Sequence, residues 1–137
     1  MATTDDWTAG RLVELSEDES WELLAGRPVG RLAWSGPQGI SVIPVNYVSR
    51  DRQVALQTHA YSAMAREVDG NPIAFQVDEL DESTRCGWSV LIRGTAHAVH
   101  EPRRDSDSRP DVWAQGAKTF RISLAIASVT GRRVLPG

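Results

Sequence analysis

Gly87-Trp-Ser-Val-Leu-Ile-Arg-Gly-Thr-Ala-His-Ala-Val-His100 reads as one long β-strand broken by a glycine. Glycine packs nothing and weakens a strand, so Gly94 inside such a run predicts a bend or bulge, the device a small closed sheet needs at its corners. A second long run answers it. In Lys118-Thr-Phe-Arg-Ile-Ser-Leu-Ala-Ile-Ala-Ser-Val129 the two-residue period places Phe120, Ile122, Leu124, Ile126 and Ser128 on one face, with Arg121, Ser123, Ala125, Ala127 and Val129 on the other.

Four shorter strands lie upstream. Val29-Gly-Arg-Leu-Ala-Trp34 and Ile40-Ser-Val-Ile-Pro-Val-Asn-Tyr-Val48 flank the turn-rich Ser35-Gly-Pro-Gln-Gly39 and form a hairpin. Pro44 has no backbone donor, so it belongs at an edge, a bulge or a strand break. Gln53-Val-Ala-Leu-Gln-Thr-His59 alternates, with Val54, Leu56 and Thr58 opposed to Ala55, Gln57 and His59. Ile73 to Asp78 is the fourth, followed by the acidic loop Glu79 to Arg85.

Helical signals are few. Ser16 and Glu19 make a capping-box pair, Trp21, Leu24 and Ala25 form an apolar stripe, and Gly26 stands where a left-handed stop belongs. Tyr61 to Asp69 reads as a second short helix, ended by Gly70-Asn71-Pro72. Glu101 to Asp111 is a polar surface loop or the entry to a third helix. No helix is long enough to cover a parallel sheet, so the expected fold is mainly β: a six-stranded antiparallel barrel with two or three short helices. The expected organisation is a flexible N-terminus over 1–11, one domain over 12–133 and a tail over 134–137.

Composition narrows the function. A chain of 137 residues has room for one core and no separate cofactor domain. Fifteen Lys and Arg against 18 Asp and Glu give a formal charge of -3, against the basic excess of nucleic-acid modules. No apolar stretch approaches the roughly 20 residues of a membrane span, and the polar start lacks a signal segment, so a cytoplasmic location is expected. The single cysteine, Cys86, has no partner for a disulfide. There is no Gly-x-Ser-x-Gly, no phosphate-loop motif and no dinucleotide-binding glycine pattern. His97 and His100, three apart on a strand, point to opposite faces and make a poor metal pair.

Five segments, in order, carry a resemblance: Pro28-Val-Gly-Arg-Leu, Pro44-Val-Asn-Tyr, Gly87-Trp-Ser-Val-Leu-Ile-Arg-Gly, Phe120-Arg-Ile and Thr130-Gly-Arg-Arg. The sequence resembles the pyridoxamine 5'-phosphate oxidase-like flavin-binding split-barrel proteins, in the small bacterial branch related to nitroimidazole-resistance proteins. The resemblance spans roughly residues 12 to 133. It implies a homodimeric split-barrel oxidoreductase acting on a small molecule, with FMN, or in some relatives a deazaflavin coenzyme, in clefts between subunits. It would place Asn46 and Tyr47 near the flavin ring, and Thr58 with the helix after it near the phosphate; at that helix start the Ser62 hydroxyl and, one turn on, Arg66 are further donors for an anion, and His59 stands beside the same turn. Trp88 and Ser89 would border the ring or its ribityl chain, with Trp113 near the dimer cleft. No catalytic residue follows from it.

The chain departs from that pattern at Ala63 and Met64, where relatives carry a basic residue or pair. Charge-assisted hydrogen bonds contribute about 1.5–3 kcal/mol each, so losing one or two weakens phosphate binding by roughly one to four orders of magnitude. The alternative expectation is therefore a non-enzymatic protein that holds haem or another tetrapyrrole, or no cofactor, on the same fold. Oxidation of pyridoxamine phosphate itself is disfavoured, because Arg132-Arg133 is the only adjacent basic pair near the expected cleft.

Overall fold

The computed structural model describes residues 11–59, 63–99 and 119–136. Among them are seven strands: β1 (Arg11–Leu15), β2 (Val29–Gly36), β3 (Gly39–Arg50), β4 (Gln53–His59), β5 (Pro72–Asp81), β6 (Cys86–Val99) and β7 (Thr119–Leu135). Two helices accompany them, α1 (Glu17–Ala25) and α2 (Ala63–Val68). All strand pairings are antiparallel, in the order β1-β7-β4-β3-β2-β5-β6, and a β6–β7 pairing closes six of the strands into a ring. No helix among the described residues is long and apolar enough to cross a membrane.

The mainly β split barrel is thus as expected, with one strand added. Arg11-Leu-Val-Glu-Leu15 is short and mixed in character, with Leu12 and Val13 exposed, so it carries little strand signal of its own. It is a strand because β7 offers it an edge, from Arg11 opposite Leu135 to Leu15 opposite Gly131.

Closure depends on β7 changing neighbours. Its first part pairs with β4, from Thr119 opposite His59 to Ser123 opposite Ala55, and its last part pairs with β1. Along β6 the register jumps between these parts: Arg93 faces Ser128 while Gly94 faces Ile126, leaving Ala127 as the extra residue of a bulge. A Cβ on Gly94 would lie 2.2 Å from the Ala125 carbonyl oxygen, so only glycine lets the strands approach here. The bulge also reverses the face rule. Ile122 and Leu124 are buried on one parity, but beyond Ala127 the inward residues are Val129 and Gly131, whereas Ser128 is exposed. The expected placement of Ser128 on the apolar face is corrected by that one inserted residue.

The core fills the ring from all walls, with Leu32, Leu56, Phe75, Val90, Ile92 and Ile122 fully buried. Gly30 faces Phe75, whose ring would lie 2.4 Å from any added Cβ. Pro44 pairs with Arg31 of β2 and lies beyond the last β3–β4 pair, Asn46 with Gln57. Its missing donor is therefore spent on an open edge.

The capping box of α1 is complete: Ser16 Oγ accepts from the Glu19 amide at 3.0 Å, and Glu19 Oε1 accepts from the Ser16 amide at 2.9 Å. Its other end differs from expectation. Gly26 has φ -92°, so no left-handed residue stops the helix; the Gly26 and Arg27 amides close the last turn onto the Leu23 and Leu24 carbonyls. The short α2 is tied to β2 by Trp34 Nε1, which donates to Glu67 Oε1 at 2.8 Å. Asp51 and Arg52 make the β3–β4 turn with φ of 53° and 59°, the left-handed pair that matches strand twist in a two-residue hairpin. An Arg52–Asp18 ion pair ties that turn to α1.

Candidate functional site

The period-two rule divides the expected site residues between the inside and the outside of the barrel. On β3 and β4, Tyr47 faces Leu56 in the core, and Thr58 shares the parity of Leu56. Asn46, one residue from Tyr47, pairs with Gln57, and Gln57 pairs with Arg121 of β7. These three residues form one cross-strand row on the outer face. The next row runs from Val48 through Ala55 to Ser123.

A groove of about 370 Å³ lies over these rows, lined by Val48, Arg50, Gln53, Gln57, Arg121 and Ser123. Its chemistry is mixed: two guanidinium groups, the Asp51 carboxylate, two carboxamides and the Ser123 hydroxyl around a small apolar floor at Ala55. Gln57 is half-buried, and its Oε1 is shut off from solvent without a hydrogen-bond donor. Above the groove, β3 continues past the end of β4 and exposes Ile40 (80%) and Val42 (58%).

Tyr47 serves the scaffold. Its ring meets Phe75 edge-on at 5.0 Å, and its hydroxyl donates to the Leu24 carbonyl at 2.6 Å, with 2% of the residue exposed. Burial pushes the phenol up to about 12, against a smaller opposing effect of the nearby Arg27. Tyr47 holds α1 on the wall and does not share the outer face with Asn46.

The other expected residues scatter in a regular way. Trp88 is buried in the core, opposite Arg133 of β7 and Glu79 of β5. Ser89 faces out on β6, between Asp78 and Arg132. There it belongs to a second polar cluster: Gln76 Nε2 donates to Ser89 Oγ at 3.0 Å and to Asp78 Oδ2 at 3.1 Å, and Arg31 donates to Gln76 Oε1 at 3.3 Å. Thr58 ends the inner row of β4 opposite Phe120, and His59 is the last residue of that strand, opposite Thr119. Arg66 is exposed on α2. Ser62 and Trp113 lie outside the described residues.

Around the ring, β3 and β6 are separated by two strands in either direction. The row of Asn46, Gln57 and Arg121 and the cluster around Ser89 therefore point away from each other on opposite walls. Gln57, Arg121 and Arg50 were not among the expected residues. Gln57 did stand on the polar side of the Gln53–His59 alternation, but Arg121 is joined to it only by the β4–β7 register.

The departure at Ala63 and Met64 has a structural side. Ala63 is exposed at the first position of α2, whereas Met64 is 4% exposed and belongs to the core. Only the first of these positions faces water.

Comparison with known proteins follows the same outline. The sequence matches the family described as pyridoxamine 5'-phosphate oxidase over residues 16–133. An uncharacterized protein of Mycobacterium tuberculosis is 28% identical over 135 residues, covering 93% of this chain and 89% of the relative. The structure of an FAD binding protein from Mycobacterium smegmatis superposes with a TM-score of 0.71 at 24% identity, over 90% of this chain and 98% of the other. A Bacteroides thetaiotaomicron protein assigned by description to 5-nitroimidazole antibiotic resistance superposes with a TM-score of 0.69 at 9% identity, over 91% of this chain and 89% of the other. At these identities the two superpositions speak for the fold alone.

Proposed function

We propose that this chain, which belongs to the pyridoxamine 5'-phosphate oxidase family, is a flavin-dependent oxidoreductase that holds FMN between two copies of itself and acts on a small molecule. The observation that carries the reading is the divergence of the two polar groups. One copy presents Asn46, Gln57 and Arg121 on one wall and Ser89 with Gln76 and Asp78 on the other. A single bound molecule meets both only when two copies face each other. The exposed Ile40 and Val42, continuous along β3 with Asn46, supply apolar surface for that contact.

The residues fit the cofactor. A flavin ring needs a flat, partly apolar bed with donors and acceptors along one edge, which the groove of Val48, Ala55, Gln57 and Arg121 provides. Asn46 and Gln57 would orient the ring, while Ser89 of the opposing copy would close the far side. Thr58, His59, Ser62 and Arg66 would take the phosphate end, with Arg66 the cation nearest in sequence to the missing basic pair. Bound flavin supplies the redox chemistry, and the protein supplies binding, orientation and exclusion of water. Arg121 and Arg50 set two guanidinium groups against the single carboxylate of Asp51 in the groove lining, a net positive balance that would favour a reduced, anionic ring over a neutral one.

The test is a titration of the purified protein with FMN, followed by absorbance and fluorescence, with light scattering on the same samples. Shifted flavin bands saturating at one FMN per subunit of a dimer are expected. A protein that takes up neither FMN, FAD nor a deazaflavin would overturn the reading.

A further inference from the structure

Gln57 sits in the middle of β4 with strands on both sides, so its backbone is satisfied by β3 and β7. Its side chain is not: the Oε1 atom is buried without a donor, and no hydrogen bond among the described residues holds the carboxamide. A buried carbonyl oxygen that has left water without a replacement partner is a cost in the unliganded protein. The terminal torsion of a glutamine is soft, so the group can turn its oxygen or its nitrogen toward the groove without breaking a bond it has made.

A primary carboxamide offers an acceptor and a donor side by side. Its complement is a ligand edge with a donor beside an acceptor, as in an imide N–H flanked by carbonyls. The pyrimidine edge of a flavin is such an edge, and it is the same in FMN and FAD. The periphery of a haem has no N–H to offer. Building on the flavin reading above, we propose that Gln57 is the residue that recognises this imide edge, with Asn46 and Arg121 flanking it in the same row. It is a positioning residue for the ring, with no part in electron transfer.

The experiment compares FMN with N3-methyl-FMN, which lacks the imide proton, on wild type, Gln57→Leu and Gln57→Glu. Dissociation constants come from flavin fluorescence, with circular dichroism and light scattering as controls for folding and assembly. Wild type is expected to prefer FMN by about tenfold, the effect of one hydrogen bond in a closed site. Gln57→Leu should bind both flavins alike, at the level of wild type with the methylated one, whereas Gln57→Glu, whose carboxylate still accepts a hydrogen bond from the imide N–H, should keep the preference. The loss in Gln57→Leu should be the same for FAD.

A Gln57→Leu protein that still prefers FMN tenfold would overturn the assignment, as would a Gln57→Glu protein that binds both alike. An effect confined to FMN or to FAD would place the contact at the phosphate end and overturn it too. If wild type binds no flavin, the functional reading falls and takes this one with it; if it binds FMN and Gln57 has no influence, only this inference fails.

Discussion

The hydroxyl of Tyr47 donates to the carbonyl of Leu24 at 2.6 Å, joining the inner face of β3 to the last turn of α1. That carbonyl also accepts from the Arg27 amide at 3.4 Å, so the tyrosine is its better partner. Tyr47→Phe keeps the ring against Phe75 and removes the donor, which should cost about 1–3 kcal/mol in urea unfolding.

The same bond predicts an alkaline loss of stability. The folded phenol is pushed up to about 12 by burial, above the roughly 10 of an unfolded tyrosine. The neutral form is thus favoured by folding, and its full contribution is present below pH 10 and is lost as pH rises from about 10 to about 12. Tyr47→Phe lacks this group, so the gap in unfolding midpoint between wild type and variant should narrow over that interval. A gap that stays constant would contradict the assignment.

At the bulge, Gly94→Ala should destabilise by about 1–3 kcal/mol, because its Cβ meets the Ala125 carbonyl backbone and not a movable side-chain end. Urea unfolding measures it.

Ala63 and Met64 should respond in opposite senses to lysine. Ala63→Lys adds a charge at an exposed position and should raise affinity for FMN more than for riboflavin, which has no phosphate. Met64→Lys puts an ammonium where a core side chain sits and should cost about 2–5 kcal/mol of stability. Parallel binding and unfolding curves on the two variants test both halves.

On the dimer proposed above, Ile40→Asp should shift the assembly toward monomer, since a carboxylate buried between two copies without a partner is costly. Light scattering across a concentration series reads this directly, and FMN affinity should fall with the dimer.

How far the sequence led can be judged from particular residues. The capping pair Ser16 and Glu19 and the alternation in Gln53–His59 were legible because each depends on contacts within a few residues. Gly94 was legible as an irregularity, but not which residue across from it would be extruded, because Ala127 is chosen by the β6–β7 register. β1 was invisible for the same reason: its strand state comes from β7, more than a hundred residues away. In the outer row, Asn46 stood in a short motif, whereas Gln57 looked like any polar residue on the wet side of a strand. Only the pairing of β4 with β3 and β7 sets Gln57 between Asn46 and Arg121, and Tyr47 and Trp88 turned inward by the same alternation that made their neighbours accessible.

The exchange of neighbours along β7 also sets the order in which this barrel comes into being. Thr119–Leu135 follows all of its partners in the chain, yet it is the piece that joins β4 to β6 and gives β1 an edge. The hairpins β2–β3 and β5–β6 join residues close in the chain, but until β7 pairs, β4 and β6 each keep a bare rim of unpaired amides and carbonyls. Without β7 the sheet is a ribbon with two adhesive borders, and the pairing of β7 with β4 and β6 is what shuts both against neighbouring chains.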